Sequence, residues 1–189
     1  VIGGADSEEE KLNKAKKPSV KKVTSNQLSV NATENLSLDG GLNANKNINL
    51  QGQSIDSRAN LNSQGSLALA AKAISSTGNV TAKDSLVVSA ENDATLKGNL
   101  QGGSVQLEAA KNVSLTDTTV VGTQHILVKG ESIDHRGQLN SQGIVSLDAK
   151  KALSNHGHLT GQSIALTGGS IHSEGNLSSQ EQLIVKATE

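Results

Sequence analysis

One short pattern recurs along this chain in a nearly constant register. It reads aliphatic-x-aliphatic-x-small and first appears at Leu28, Val30 and Ala32. Its central residues follow one another at intervals of 19 to 21 positions: they are Val30, Leu50, Leu69, Val88, Leu107, Val128, Leu147, Leu166 and Val185. A period kept for this long is typical of a solenoid, in which each turn of the coil buries its apolar face against its neighbours.

Within each repeat the apolar residues alternate with other residues, which predicts a β-strand with one inward face. Two further aliphatic marks follow in each period, such as Ile55 and Leu61, so we expect three short strands per turn. The predicted fold class is all-β, a right-handed, single-stranded parallel β-helix of about nine rungs of 19–21 residues each. The nine central residues would form one column of a dry, aliphatic core.

The corners of the predicted turns carry small residues. The third inward position of the pattern is always alanine or glycine, which lets the backbone turn beside a narrow interior. Before the last aliphatic mark the chain often reads Gly-x-aliphatic, and these glycines predict either positive φ or a close backbone approach. They are Gly78, Gly98, Gly137, Gly157 and Gly175.

Composition agrees with this architecture and excludes several function classes. The chain contains no Phe, Tyr, Trp, Met or Cys, so its core must consist of Leu, Val, Ile and Ala, which suits a narrow solenoid. With 17 Lys+Arg against 18 Asp+Glu, it lacks the clustered basic surface and stacking aromatics of a nucleic-acid partner. No apolar run approaches the roughly 18 residues of a membrane span. The absence of cysteine leaves the compartment open.

The first 25 residues differ from the repeats. Ser7 and Glu10 have the spacing of a helix capping box, and Pro18 would end a helix. We therefore divide the chain into residues 1–25, a charged linker or an N-terminal cap that includes a candidate short helix, and residues 26–189, the β-helix repeats. The chain has neither an initial methionine nor a signal peptide, so we expect Val1 to be the cut edge of a longer protein.

The repeats resemble a known family. Residues 78–90 (GNVTAKDSLVVSA) and 137–143 (GQLNSQG) are similar to the haemagglutinin-type repeats of filamentous haemagglutinin-like exoproteins, which include the contact-dependent growth inhibition proteins. The resemblance covers residues 26–189. That family's secretion domain has Asn-Pro motifs near its start, whereas the single proline here, Pro18, follows a lysine. The chain therefore resembles the shaft of such a protein and not its export signal.

This resemblance implies a right-handed β-helical shaft that is exported by two-partner secretion and displayed on the surface of a Gram-negative bacterium. The implied partners are adjoining repeats of the same longer chain, an outer-membrane secretion partner, and a receptor on a host or neighbouring cell. Proteins of this kind act in virulence by adhesion or by delivering a toxin domain. No cofactor is implied.

Parallel β-helices also include polysaccharide-cleaving enzymes, so acidic residues need inspection. Asp56 and Asp134 occupy the same point of their turns, but four turns separate them. At about 4.8 Å per turn that separation is about 19 Å, whereas a catalytic carboxylate pair needs about 5–9.5 Å. We therefore expect no catalytic residues and no enzyme activity.

Histidines raise the question of a metal site. His156 and His158 are close in sequence and His172 lies one turn further on, but the spacing suggests no third or fourth ligand. We expect no metal site, and predict that Arg136, His156 and Glu174 form an exposed polar column on successive rungs.

Amide side chains also share one turn position. Asn60, Asn79 and Asn99 precede the third aliphatic mark, and amides stacked at one rung spacing can form a hydrogen-bonded ladder. The alternative is that each amide satisfies its own turn.

Three functions remain in order of preference. The first is a structural stalk, which needs only rigidity, a regular period and a polar surface. The second is an adhesin module that binds a host glycan or protein directly on one long face. The third, a polysaccharide-cleaving enzyme, is remote.

Overall fold

The protein is described by a computed structural model that covers residues 10–13, 19–20 and 22–189, with side chains from residue 22 onward. In these residues the regular secondary structure consists of β-strands alone. The strands are β1 Glu10–Asn13, β2 Ser19–Val20, β3 Val23–Ser25, β4 Leu28–Asn31, β5 Asn35–Leu38, β6 Leu42–Ala44, β7 Ile48–Gln51, β8 Ser54–Ser57, β9 Leu61–Ser63, β10 Leu67–Ala71, β11 Ala73–Ser76, β12 Val80–Ala82, β13 Ser85–Ala90, β14 Ala94–Ala109, β15 Asn112–Gly130, β16 Ser132–His135, β17 Gln138–Ser141, β18 Ile144–Ala149, β19 Ala152–Asn155, β20 His158–Gly168, β21 Ser170–Ser173 and β22 Leu177–Ala187.

The strands stack in parallel, each against the equivalent strand one turn further along the chain. β4 pairs with β7, and β7 pairs with β10, so that Val30, Leu50 and Leu69 lie directly opposite one another. The first turns contain three short strands each, whereas β14, β15, β20 and β22 run through corners without a break. This pairing confirms the predicted parallel β-solenoid and the register of its repeats.

One turn is longer than the others, and bulges accommodate the difference. Leu107 and Val128 are 21 residues apart where the usual interval is 19, and β15 shifts its register against β14 at two places. The first shift lies between Leu115 and Thr118 and contains Asp117, whose φ is 52°. The extra residues are therefore divided between two bulges, which keep the following strands in register.

Aliphatic side chains fill one continuous interior. The central column from Val30 to Leu166 is at most 2% exposed. Val185 lies opposite Leu166 and so continues this column in register, but it is 54% exposed. The physical reason is that, among the described strands, β22 packs against a neighbouring turn on one side only, through its pairing with β20.

The interior also contains polar side chains, which contradicts the prediction that it is purely aliphatic. Strand alternation explains the position of all but Thr118, because a residue two places after an inward aliphatic residue also points inward. Thus His135 follows Ile133, and both are buried. Thr118 instead follows the first bulge of β15. The buried polar residues are Ser25, Ser57, Ser63, Ser76, Thr118, His135 and Asn155.

Strand pairing begins before residue 26. β1 pairs with β4, β2 with β5 and β3 with β6, so the described parts of residues 1–25 lie in register with the next turn. The short helix suggested for this segment is wrong at 10–13, where β1 lies, because backbone pairing with β4 outweighs the local capping pattern. Residues 1–9, 14–18 and 21 lie outside the described residues. The role of 1–25 as cap or linker stays a prediction.

Candidate functional site

The surface of the solenoid consists of columns of side chains that repeat from turn to turn. In one column, Oδ1 of Asn60 accepts a hydrogen bond from the backbone N–H of Asn79 at 3.1 Å. Oδ1 of Asn79 in turn accepts one from the N–H of Asn99 at 3.2 Å. These bonds join consecutive turns, but they run from side chain to backbone and not between side-chain amides. The three asparagines therefore hold neighbouring turns together by a contact that differs from the amide ladder expected.

The acidic residues considered for catalysis stay far apart. Asp56 and Asp134 lie in one column, separated by Ser75, Thr95 and Ser114 on the intervening strands. Four steps of about 4.8 Å give about 19 Å between them, which is beyond the reach of a carboxylate pair. The two aspartates therefore form no carboxylate pair.

A denser polar cluster lies where β16, β19 and β21 end. Nε of Arg136 is 3.2 Å from Oδ2 of Asp134, and Nδ1 of His156 is 3.9 Å from Oδ1 of the same aspartate. On the other side, Nε2 of His156 is 3.8 Å from Oε2 of Glu174. Arg136, His156 and Glu174 thus lie on successive turns at the surface, as the sequence predicted.

The same cluster contains more metal-ligand atoms than the sequence suggested. Nε2 of His172 is 2.9 Å from Oε1 of Glu174, and the imidazoles of His156 and His172 have ring centroids 5.7 Å apart. One ligand atom from each of these three residues lies within 4.8 Å of the other two. Glu174 offers the third ligand atom that the sequence did not suggest: it lies two residues after His172 on the same turn, and turn stacking places it beside His156. His158 is not a member of this group.

The backbone beneath the cluster is fixed by strand pairing and by glycine. Ser154 lies opposite His172, and Asn155 lies opposite Ser173, in the β19–β21 pair. At the adjacent corner a Cβ at Gly175 would overlap the carbonyl oxygen of Gly157. Close approach therefore explains this glycine, whereas Gly98 is required by its φ of 89°.

A chain of polar side chains next to the cluster runs from the buried His135 and Asn155 to the exposed Ser173. Oδ1 of Asn155 accepts a hydrogen bond from the N–H of Gly157 at 3.2 Å, and its Nδ2 donates to Oγ of Ser173 at 3.1 Å. His135 Nδ1 lies 2.7 Å from the same Oδ1 and must be the donor, since that oxygen can only accept. Nε2 of His135 is then an acceptor without a partner among the described residues. Burial lowers the pKa of this imidazole, and the hydrogen bond with Asn155 opposes that effect.

His135 was not identified as a candidate from the sequence. The period-two alternation that placed Ile133 inside also places His135 inside, so that pattern could have found it. The grouping of His156 with His172 and Glu174 could have been found from turn positions, but only by aligning residues on successive turns.

Comparison with known families decides what kind of repeat this is. A family model described as haemagglutinin repeat matches the chain twice, over residues 23–101 and 91–186. The chain belongs to the haemagglutinin repeat family. This confirms the resemblance to filamentous haemagglutinin-like proteins, whose repeats occur in exoproteins that are secreted by the two-partner route as surface filaments. No curated protein and no solved structure matches the chain significantly.

This haemagglutinin repeat segment also has a shallow groove along the corner that follows its central strands. Two open stretches of the groove have volumes of about 350 Å³ and about 480 Å³. They are lined by small and charged side chains that include Gln51, Ala70, Lys72, Glu91, Lys129 and Lys150. Among the described residues of the repeat segment, none forms a helix long and apolar enough to cross a membrane.

Proposed function

We propose that this chain is a stalk segment of a longer secreted filament on a Gram-negative bacterial surface, where it projects adhesive or toxin domains without catalysing a reaction. Its partners would be adjoining repeats of the same filament and an outer-membrane secretion protein. Membership of the haemagglutinin repeat family supports the secreted filament, and the geometry of the turns supports the stalk.

The observation that favours a stalk is the uninterrupted stacking of turns. From β4 to β22 each strand pairs with its counterpart one turn away, and the extra residues of the longest turn are absorbed in two bulges of β15. No long loop projects from residues 22–189, and the sequence contains no aromatic residue with which to build a binding hot spot. Such a surface suits rigid separation of other domains.

A direct adhesin role is the second candidate, and the shallow groove is the observation that favours it. Its polar and charged lining could hydrogen-bond an extended glycan or peptide along several turns. A receptor on a host or neighbouring cell would then be the partner.

A glycan array and a cell-binding assay on the isolated chain separate the two functions. The stalk function predicts no saturable binding to any glycan or cell type. Specific, saturable binding would contradict it, and loss of that binding in Lys129→Glu and Lys150→Glu variants would assign the ligand to the groove. A matched charge reversal outside the groove, Lys22→Glu, controls for nonspecific electrostatic effects.

A further inference from the structure

We propose that His156, His172 and Glu174 form a binding site for a divalent transition-metal ion such as Zn²⁺, which would clamp two successive turns of the solenoid. His156 follows β19 on one turn, while His172 and Glu174 lie on the next turn, at and just after β21. A shared ion would therefore link the two turns through their side chains.

The distances between ligand atoms suit a single ion. Zinc binds imidazole nitrogen and carboxylate oxygen at about 2.0–2.2 Å, which places tetrahedral ligand atoms about 3.4 Å apart. Nε2 of His156 is 3.8 Å from one oxygen of Glu174, and Nε2 of His172 is 2.9 Å from the other. All three ligand atoms lie within 4.8 Å of one another, so rotations of these exposed side chains would bring them to the tetrahedral spacing.

The surroundings of His156 orient its ring for coordination. Nδ1 of His156 lies 3.3 Å from Oγ of Ser154 and 3.9 Å from Oδ1 of Asp134. Asp134 is itself held by Arg136. A proton on Nδ1 would face these oxygens and leave Nε2 directed at Glu174 with its lone pair available. Metal-binding histidines commonly have this arrangement, in which the second ring nitrogen bonds a carboxylate or other oxygen.

The donor set favours transition metals over Ca²⁺ and Mg²⁺. Two imidazoles and one carboxylate match the three protein ligands of open zinc sites, whereas Ca²⁺ and Mg²⁺ require mainly oxygen ligands. The side chains of His172 and Glu174 are 65% and 64% exposed, so solvent can fill the remaining coordination position.

Calorimetric titration of the intact chain with ZnCl₂ tests the proposal. We expect one zinc ion per chain, no comparable binding of CaCl₂ or MgCl₂, and a Tm raised by roughly 5 °C when free zinc is about a hundredfold above Kd. The variants His156→Gln, His172→Gln and Glu174→Gln should each weaken binding at least about tenfold, since loss of even an outer partner costs that much. Without metal, the Tm of each variant should stay close to that of the parent protein, because all three side chains are at the surface.

His158→Gln is the matched control, since it makes the same substitution two residues from His156 on a histidine outside the cluster. Its zinc affinity and zinc-dependent Tm should equal those of the parent. The proposal is overturned if zinc does not bind saturably, if His158→Gln weakens binding as much as His156→Gln, or if His172→Gln and Glu174→Gln leave it intact. Each of these failures leaves the stalk function untouched, because that function requires no metal.

Discussion

Along each strand of the solenoid, neighbouring residues face two different environments. Leu107 is fully buried, whereas the adjacent Gln106 points outward and donates a hydrogen bond to Glu108 at 3.1 Å. The same two-residue alternation governs every central strand, so the effect of a substitution should depend on the parity of its position.

A charge introduced at Leu107 tests this parity. Leu107→Asp would place an unpaired carboxylate in the aliphatic column and should lower the free energy of unfolding by about 3–5 kcal/mol. Gln106→Asp keeps its carboxylate hydrated, so the loss of the hydrogen bond to Glu108 and the repulsion between two surface carboxylates should lower the free energy of unfolding by no more than about 1 kcal/mol. Urea melts followed by circular dichroism measure both, and equal effects would mean that the inward face is assigned wrongly.

His135 should make stability depend on pH. Its pKa is lowered by burial, so the unfolded chain, in which an imidazole titrates near about 6.5, binds the proton more readily than the folded chain. The folded protein therefore has its full stability above the pKa of the unfolded imidazole. It loses stability as the pH falls from that value towards the lower pKa of His135 in the folded protein. The titration of this one group can change the free energy of unfolding by at most about 1.4 kcal/mol per pH unit.

The variant His135→Leu isolates this contribution. Leucine suits the position because Leu115 occupies the same inward place one turn earlier. Between pH 7 and pH 5 the parent should lose stability relative to His135→Leu in urea melts, while the exposed control His125→Gln, which lies outside the surroundings of His135, should follow the parent. If the free energy of unfolding changes with pH equally in the parent and in His135→Leu, the pKa of His135 does not differ between the folded and unfolded protein.

At the scale of a strand, β15 shows how an element accepts extra residues. Its first bulge places Asp117 at a φ of 52°, a conformation that aspartate tolerates better than β-branched residues do. The bulge therefore depends on a residue type that can adopt left-handed backbone geometry.

Two substitutions at Asp117 test that dependence. Asp117→Val should destabilise the protein by about 1–2 kcal/mol, since a β-branched residue is disfavoured at positive φ. Asp117→Gly, which removes the same carboxylate, should be close to neutral because glycine adopts this conformation freely. Thermal melts of the two variants give the comparison. If glycine is as damaging as valine, the carboxylate and not the backbone conformation matters.

The strands also show which features could be read from sequence. The central columns were predictable because one aliphatic pattern kept its register, and the corner glycines were predictable because their positions recur. β1 was not predicted, since its strand conformation depends on pairing with β4 and its local residues favour a capped helix. The metal-ligand cluster was missed for a similar reason: His156 and Glu174 meet through turn stacking, which sequence distance does not show.

At the scale of the whole molecule, each turn contacts only its neighbours, so stability should behave as a sum of similar units. Leu67 and Leu86 occupy equivalent positions on β10 and β13. Removing residues 67–85 would join Ser66 to Leu86 and place β13 directly against β7. The solenoid should then shorten by one step of about 4.8 Å with every later strand in register.

The most direct test of this architecture compares that deletion with a shorter one. Removing only residues 67–76 would bring Thr77, Asn79 and Thr81 to the inward positions of the lost strand, at a cost of about 1–3 kcal/mol for each unpartnered polar group. Melts followed by circular dichroism should show a cooperative, β-rich protein for the deletion of 67–85 and a largely unravelled one for the deletion of 67–76. If the 19-residue deletion is the more damaging of the two, stacked interchangeable turns are not how this chain folds.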